Sequence, residues 1–249
     1  MAQKKYLHSF YPEAGFGGYT DVDGTIAFYT RVRALMHSSD VVLDVGCGRG
    51  RHEGDKVDVR KSLRILKGGA ARVIGIDVDQ DASVNPFMDE FRKLDGPSWP
   101  IEDGSIDLIY SDFVLEHVDD PDNFFSEAWR VLKPGGYICL RTTNKWSYVA
   151  LVARLIPNRH HAKITELVQE GRQAEDVFPT RYRCNTIPAA RRILKRNRFE
   201  GVVYGYESEP SYLSFSRIFY GLGVLHQRYA PRLIKPSLFL FARSLPPRK

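Results

Sequence analysis

Three glycines spaced two apart, Gly46, Gly48 and Gly50, follow an acid at Asp44 and bracket Cys47 and Arg49. Glycine accepts the backbone angles of a tight turn and lets a ligand approach the main chain closely. A carboxylate two residues before the first glycine can fix the amides of that turn or bind an ammonium group. Downstream come Asp77-Val78, Asp95-Gly96, Ser111 and the pair Glu116-His117. A histidine can serve as a base near neutral pH. These residue types fit a bound small molecule gripped at the turn and a proton transfer beside it.

The elements that must position them are legible from the pattern. Val41-Val42-Leu43-Asp44-Val45 is short, apolar and rich in β-branched residues, and reads as a buried parallel strand feeding the turn. A dinucleotide fingerprint, G-x-G-x-x-G, is not met: position 51 is Arg, and the third glycine comes one residue early. A pyrophosphate also gives no reason for an anion at Asp44. The spacing then predicts a helix over 57–67 closed by Gly68-Gly69, a strand at 72–77 and a short strand near 90–94. A strand at 106–111 follows, then a helix at 121–132 stopped by Lys133-Pro134-Gly135-Gly136, and a strand at 137–142. Strands alternating with helices give an α/β class: a Rossmann-like doubly wound sheet, mostly parallel, with an antiparallel last strand at 237–242. Right-handed crossovers put the turns after strands one, two and four at one carboxyl edge. Gly46–Gly50, Asp77, Asp95 and Ser111 to His117 are therefore expected to converge on one crevice.

The whole chain, 1–249, reads as a single domain. Residues 1–40, with a helix at 25–37, form an arm that either lids the glycine turn or packs beside it. The core is 41–143. Residues 144–186 and 206–235 read as insertions on the crevice side; the first carries helices at 146–156 and 163–170 and the pair His160-His161. A helix at 187–197 and a strand at 199–205 return to the sheet, and 210–229 is an aromatic helical segment.

Five pieces, in order, carry a resemblance: Leu43-Asp44-Val45-Gly46-Cys47-Gly48-Arg49-Gly50, Gly75-Ile76-Asp77-Val78-Asp79, Pro100 to Asp107, Val114-Leu115-Glu116-His117-Val118 and Arg130 to Gly136. Together they resemble class I S-adenosylmethionine-dependent methyltransferases, the methyltransferase type 11 group that includes ubiquinone and menaquinone enzymes. The resemblance implies S-adenosylmethionine as methyl donor and S-adenosylhomocysteine as product. It implies that Asp44 and the amides of Gly46, Cys47 and Gly48 hold the methionine part. Asp77, beside Val78, would bind both ribose hydroxyls, since one carboxylate accepts two hydrogen bonds. Asp95 and Gly96 would meet the adenine, and Ser111 and Phe113 would lie near the sulfonium. Glu116-His117 is similar to the E-x-x-E-H metal signature of ubiquinone O-methyltransferases and small-RNA 2′-O-methyltransferases. Phe113 stands where the first Glu would be, which leaves magnesium one hard ligand short, with Asp112 adjacent. No metal ligand is assigned. His117 with Glu116 is the candidate catalytic pair; the alternative is a structural turn that His117 caps. His52 and Glu53 follow the glycine turn, and Arg181-Tyr182-Arg183 reads as a phosphate or sugar clamp or as a charged loop.

Composition bounds the partners. Of 249 residues, 43% are hydrophobic and 27% charged, with a net charge of +6. No apolar run reaches the roughly 18 residues of a membrane span, and no h-region follows Met1 to Tyr6, so no signal peptide is read. Cys47, Cys139 and Cys184 lack paired spacing, which argues against a disulfide scaffold or zinc site and for a reducing, cytoplasmic setting. After Glu209 the chain carries no acid, only basic residues among aromatic and aliphatic ones. That end is either a solvated basic face or one that meets an anionic partner, such as a membrane surface, a phosphorylated substrate or nucleic acid. No RNA-binding module supports nucleic acid. The flanks are similar to bacterial methyltransferases of polysaccharide and glycolipid synthesis. That implies an O-methyltransferase acting on a sugar hydroxyl, at the inner membrane surface where the glycan is lipid-linked. The alternative acceptor is a small phenolic, quinone-like or lipid molecule, which would require a mostly apolar pocket. Oligomeric state is not written in the sequence.

Overall fold

A computed structural model describes residues 6–155 and 179–246. The pair His160-His161 and the expected helix at 163–170 lie outside those residues. Seven strands form one sheet among the described residues: β1 Val41–Val45, β2 Arg72–Asp77, β3 Glu90–Lys93, β4 Ile106–Asp112, β5 Leu132–Thr143, β6 Phe199–Tyr206 and β7 Ser237–Ser244. The order is β3-β2-β1-β4-β5-β7-β6. β1 to β5 pair in parallel, and β7 runs antiparallel to both its neighbours. The antiparallel strand therefore sits inside the sheet, between β5 and β6, which leaves β6 pointing the same way as β5.

Side chains alternate between the two faces with the two-residue period of a strand. Leu43, Val45, Ile74, Ile76 and Ile109 pack with Phe124, Phe125 and Leu194 of the helices Pro121–Val131 and Ile187–Arg196. Val42, Val73, Leu108, Tyr110 and Phe239 pack with Phe28, Tyr29 and Val32 of the helix Gly24–Leu35. Asp23 caps that helix, its Oδ1 accepting from the amides of Thr25 and Ile26 at 2.9 and 3.0 Å. A smaller cluster joins Leu7, Tyr11 and Ala14 to Tyr220 and Val224 of the helix Arg217–Tyr229. The N-terminal arm thus packs on that C-terminal helix.

Several element boundaries differ from the sequence expectation, among them the helical segment expected at 210–229, whose α-helix spans Arg217–Tyr229; two others have a visible cause. The helix expected over 57–67 spans Asp58–Arg64, after a one-turn 3₁₀ segment at Arg51–Gly54. Arg33 ends it early: its guanidinium donates to the carbonyls of Leu63 and Ser62 at 3.0 and 2.6 Å, and to that of Ile65. The strand expected at 137–142 begins at Leu132, with a register irregularity opposite β4. Lys133 draws the glycine turn into the ladder through its ion pair with Asp107 at 2.7 Å.

One interaction spans β4 and β5 where their carboxyl ends meet. Asp112 and Arg141 are register partners. The guanidinium Nε and Nη2 each donate to one carboxylate oxygen at 2.6 Å. The side chains are 7% and 13% exposed, so the charges have little water to fall back on. Tyr29 donates a third bond to Asp112 at 3.2 Å, and Arg141 Nη1 donates to Thr25 at 3.0 Å. Burial alone would raise the Asp112 carboxyl, but Arg141 holds it below the usual carboxylate range. Arg141→Met leaves that carboxylate unpaired and is expected to destabilise the fold by about 3–5 kcal/mol in urea titrations. The double variant Asp112→Leu/Arg141→Met is expected to lose clearly less than Arg141→Met alone.

Candidate active site

The carboxyl edge of β1, β2 and β4 opens into a cleft of about 790 Å³, within the range of small-molecule sites. Gly46, Cys47 and Gly48 form its floor, with Asp77 and Val78 on one side, Leu94, Gly96 and Trp99 on another, and Asp112, Phe113 and His117 facing them. The glycines are required by geometry. Gly46 has φ +75°, and a Cβ there would stand 2.3 Å from Val114 Cγ2. Gly48, at φ +54°, faces open space, so its backbone borders the cleft without a side chain.

The turn is tied down from within. The amides of Gly46 and Cys47 both donate to the Ile76 carbonyl, at 2.8 and 3.3 Å. The Gly48 amide donates to Asp77 Oδ2, and the Asp79 amide to Asp77 Oδ1, both at 2.9 Å. Three amides expected to grip the ligand are thus engaged inside the protein. Each Asp77 oxygen keeps acceptor capacity for a further donor such as a hydroxyl.

Asp44 lies behind the turn rather than on the cleft surface. Tyr110 donates to its Oδ2 at 2.7 Å. Burial, with the nearby charges of Asp112 and Asp77, pushes its carboxyl up to about 7, against the Tyr110 bond and Arg64. Ser111 is also behind the wall, its Oγ donating to the Val45 carbonyl at 2.6 Å. It ties β4 to β1 and presents no hydroxyl to the cleft. Asp95 is exposed and paired with Lys93 at 2.7 Å, whereas its neighbours Leu94 and Gly96 line the cleft. The Ser111 hydroxyl and the Asp95 carboxylate are thus each held by a partner, in the sheet and in the chain respectively.

Glu116 and His117 separate. The Glu116 carboxylate turns inward, accepting from the hydroxyls of Thr142 and Thr143 at 2.7 and 3.0 Å. Its backbone carbonyl accepts the amides of Arg181 and Tyr182. Burial raises its carboxyl. It clasps the 181–182 loop to β5, which corrects its placement beside the reacting atoms. His117 lines the cleft, with Nδ1 at 3.1 Å from the Pro179 carbonyl. A carbonyl only accepts, so Nδ1 carries the proton and Nε2 is the acceptor nitrogen of the neutral ring. Among the described residues no three His, Cys, Asp or Glu side chains are grouped as a metal set. His52 lines the cleft and stacks on Phe87 at 4.4 Å; burial and Arg64 lower it to about 4, so it is neutral near pH 7. Arg181 lines the cleft and pairs with Asp119 at 3.0 Å, while Arg183 borders neither cavity.

A second cavity of about 250 Å³ adjoins Phe113, the residue common to both linings. Phe113 holds a left-handed φ of +58°, and the Arg141 guanidinium sits 4.8 Å from its ring centre. Asp23, Arg60, Arg141, Glu207, Ser208 and Glu209 line this cavity with Tyr148 and Tyr212. Arg60 bonds Asp23 at 2.9 Å. Glu207 accepts from His226 Nδ1 at 2.8 and 3.0 Å. Burial raises the Glu207 carboxyl, opposed by His226, Lys235 and a hydrogen bond from Tyr148. Neither Glu207 nor His226 was prominent in the sequence. Their signal is positional: Glu207 follows the end of β6, which reaches the ligand edge only because β7 lies between β5 and β6.

Residues 43–140 match the family model described as Methyltransferase domain. A probable S-adenosylmethionine-dependent methyltransferase of Mycolicibacterium smegmatis is 33% identical over 150 residues, covering 55% of this chain and 53% of that protein. A malonyl-[acyl-carrier protein] O-methyltransferase of Marinomonas is 24% identical, covering 59% and 55%. The chain spans about half the length of these two relatives. A solved S-adenosylmethionine-dependent methyltransferase from Methanosarcina mazei superposes with a TM-score of 0.55 at 23% identity, covering 86% and 97%; that likeness concerns the fold. Residues 43–140 thus resemble a methyltransferase domain, and the relatives named here include S-adenosylmethionine-dependent enzymes. The cleft fits an S-adenosylmethionine ligand: a side-chain-free floor at Gly48, acceptor capacity at Asp77, apolar walls at Leu94 and Trp99, and the Asp112 carboxylate for a cationic end, with Asp44 behind the turn.

The Asp44 carboxyl gives this fit a pH signature. Above about 7 it is ionised and attracts an ammonium group; below, it is protonated and the attraction is lost. The Kd for S-adenosylhomocysteine is expected to rise as pH falls below 7, by up to about tenfold per unit. Asp44→Asn is expected to weaken binding and flatten that slope. Calorimetry across the interval checks both, and a wild-type Kd that does not change with pH contradicts the assignment.

Proposed function

We propose that this chain transfers a methyl group from S-adenosylmethionine to a hydroxyl of a sugar, in a glycan or glycolipid, held in the cavity beside Phe113. The observation that carries this reading is the lining of that cavity. Carboxylates, guanidinium groups and hydroxyls surround it, with aromatic rings from Phe113, Tyr148, Tyr212 and Phe239. A phenolic or quinone-like acceptor would favour a mostly apolar wall, whereas a polyol uses paired donors and acceptors and stacks its apolar faces on rings.

S-adenosylmethionine, when bound, supplies a methyl group on a sulfonium, a good leaving group. The protein's task is then to position the acceptor and to take its proton. Glu207 takes that proton. Its raised carboxyl makes it a stronger base than an exposed glutamate, and His226 holds it in one orientation. Asp23, fixed by Arg60, and Ser208 offer hydrogen bonds to neighbouring hydroxyls. Phe113, fixed by the cation beneath its ring, borders both cavities and marks where the acceptor hydroxyl would meet the methyl group. His117 lines only the donor cleft, which favours Glu207 as the base.

The test is transfer of labelled methyl groups to monosaccharides, oligosaccharides, lipid-linked sugars and phenolic quinol analogues. Turnover of a sugar class is expected. Turnover confined to the phenols, with every sugar inert, overturns the reading. With the acceptor so found, Glu207→Gln is expected to lower kcat by about 10²–10⁴-fold, while the Kd for S-adenosylhomocysteine stays unchanged. His117→Asn, measured alongside, decides between the two bases.

A further inference from the structure

The helix Arg217–Tyr229 carries apolar residues on both of its sides. Tyr220, Gly223, Val224 and Gln227 are buried; Tyr220 and Val224 pack on Leu7 and Tyr11 of the N-terminal arm, and Gly223 on Pro210 and Leu213. At about 100° per residue, Ile218, Phe219, Leu222, Leu225 and Tyr229 fall on the opposite side. All five are between 51% and 77% exposed. Phe215, 70% exposed, extends the stripe one turn upstream and packs on Phe219 with ring centres 5.4 Å apart. Isolated exposed apolar side chains are ordinary. Five along one side of a helix, continued by Phe215 just before it, are not.

Charge selects the occupant. Arg217 and Arg228 are eleven positions apart and so project along nearly one line, at the edge between the buried and the exposed faces. Arg232, just beyond the helix, is exposed as well. From Pro210 to the end of the sequence there is no Asp or Glu to balance them. A second copy would bring like charges together across the contact. An anionic lipid surface would take the apolar stripe among its acyl chains and place the arginines at its headgroups. No helix among the described residues is long and apolar enough to cross a membrane, so the contact is one of lying on it.

We infer that the outward face of Arg217–Tyr229 docks this protein on anionic membranes. Tyr212 lines the second cavity and precedes the helix by one turn of chain, so docking brings that cavity toward the lipid surface. The inference reads a surface and holds whatever the acceptor proves to be.

The test is flotation of the full chain with vesicles of phosphatidylcholine alone and of equal parts phosphatidylcholine and phosphatidylglycerol. Binding is expected only to the mixed vesicles, and it is expected to weaken with salt. Leu222→Ser/Leu225→Ser removes two of the inserted side chains and is expected to lower partitioning at least about tenfold. Arg228→Gln is expected to lower it about fivefold. Because these residues are exposed, thermal unfolding of the variants is expected to match wild type, which separates loss of docking from loss of fold. Absence of binding to the mixed vesicles overturns the inference, as does undiminished binding of the Leu222→Ser/Leu225→Ser variant. A dimer in sedimentation velocity that this variant dissociates, without vesicle binding, assigns the face to a second copy instead. Salt-sensitive RNA retention without vesicle binding assigns it to nucleic acid.

Discussion

The Asp112–Arg141 ion pair is the interaction on which the two cavities depend. It joins β4 to β5 at their carboxyl ends, receives Tyr29 and Thr25 from the helix Gly24–Leu35, and underlies the ring of Phe113. Asp112 borders the donor cleft and Arg141 borders the acceptor cavity. A buried pair of this kind contributes little net stability compared with an apolar replacement, but it is intolerant of losing one member. Its value here is positional: it fixes a left-handed residue between the two cavities, where the backbone would otherwise relax.

The acids at the cleft follow from the same placement. Asp44, Asp77 and Asp112 approach it from three adjacent strands, and Arg49, Arg51, Arg64 and Arg181 line it as well. Asp112 stays ionised because its cation is in contact. Asp44 has only a tyrosine hydroxyl as a hydrogen-bonded partner, and so sits near the point of protonation. Two buried acids on adjacent strands thus have their carboxyls shifted in opposite directions, each according to what touches it.

How much of this could be read beforehand depended on whether the signal was local. Val41–Gly50 declared its strand and turn because the β-branched run and the glycines are contiguous. Asp77 and His117 were visible as residues beside strand ends, and both line the cleft. Ser111 and Glu116 carried the right types at the right positions, but their side-chain directions are set by Val45 and by Thr142-Thr143, which no local pattern reveals. Arg64 gave no signal, being one basic residue among several in a short helix. Glu207 needed the strand order: until β7 is placed between β5 and β6, nothing brings the end of β6 to the ligand edge.

That placement of β7 divides the labour of the chain unequally. The cleft at the glycine turn is built from β1, β2 and β4 and the links that follow them, all paired in parallel. The acceptor side is assembled from residues near 23, 60, 141 and 207–212, and β6 is bonded to the sheet only through β7 among the described residues. Changes at Ser208, Tyr212 or Thr25 can therefore reshape the second cavity without disturbing the glycine turn. A scaffold so arranged can keep one cleft and remodel the other cavity over evolutionary time. Its two halves answer to separate selection, with the arginine under Phe113 as the fixed point between them.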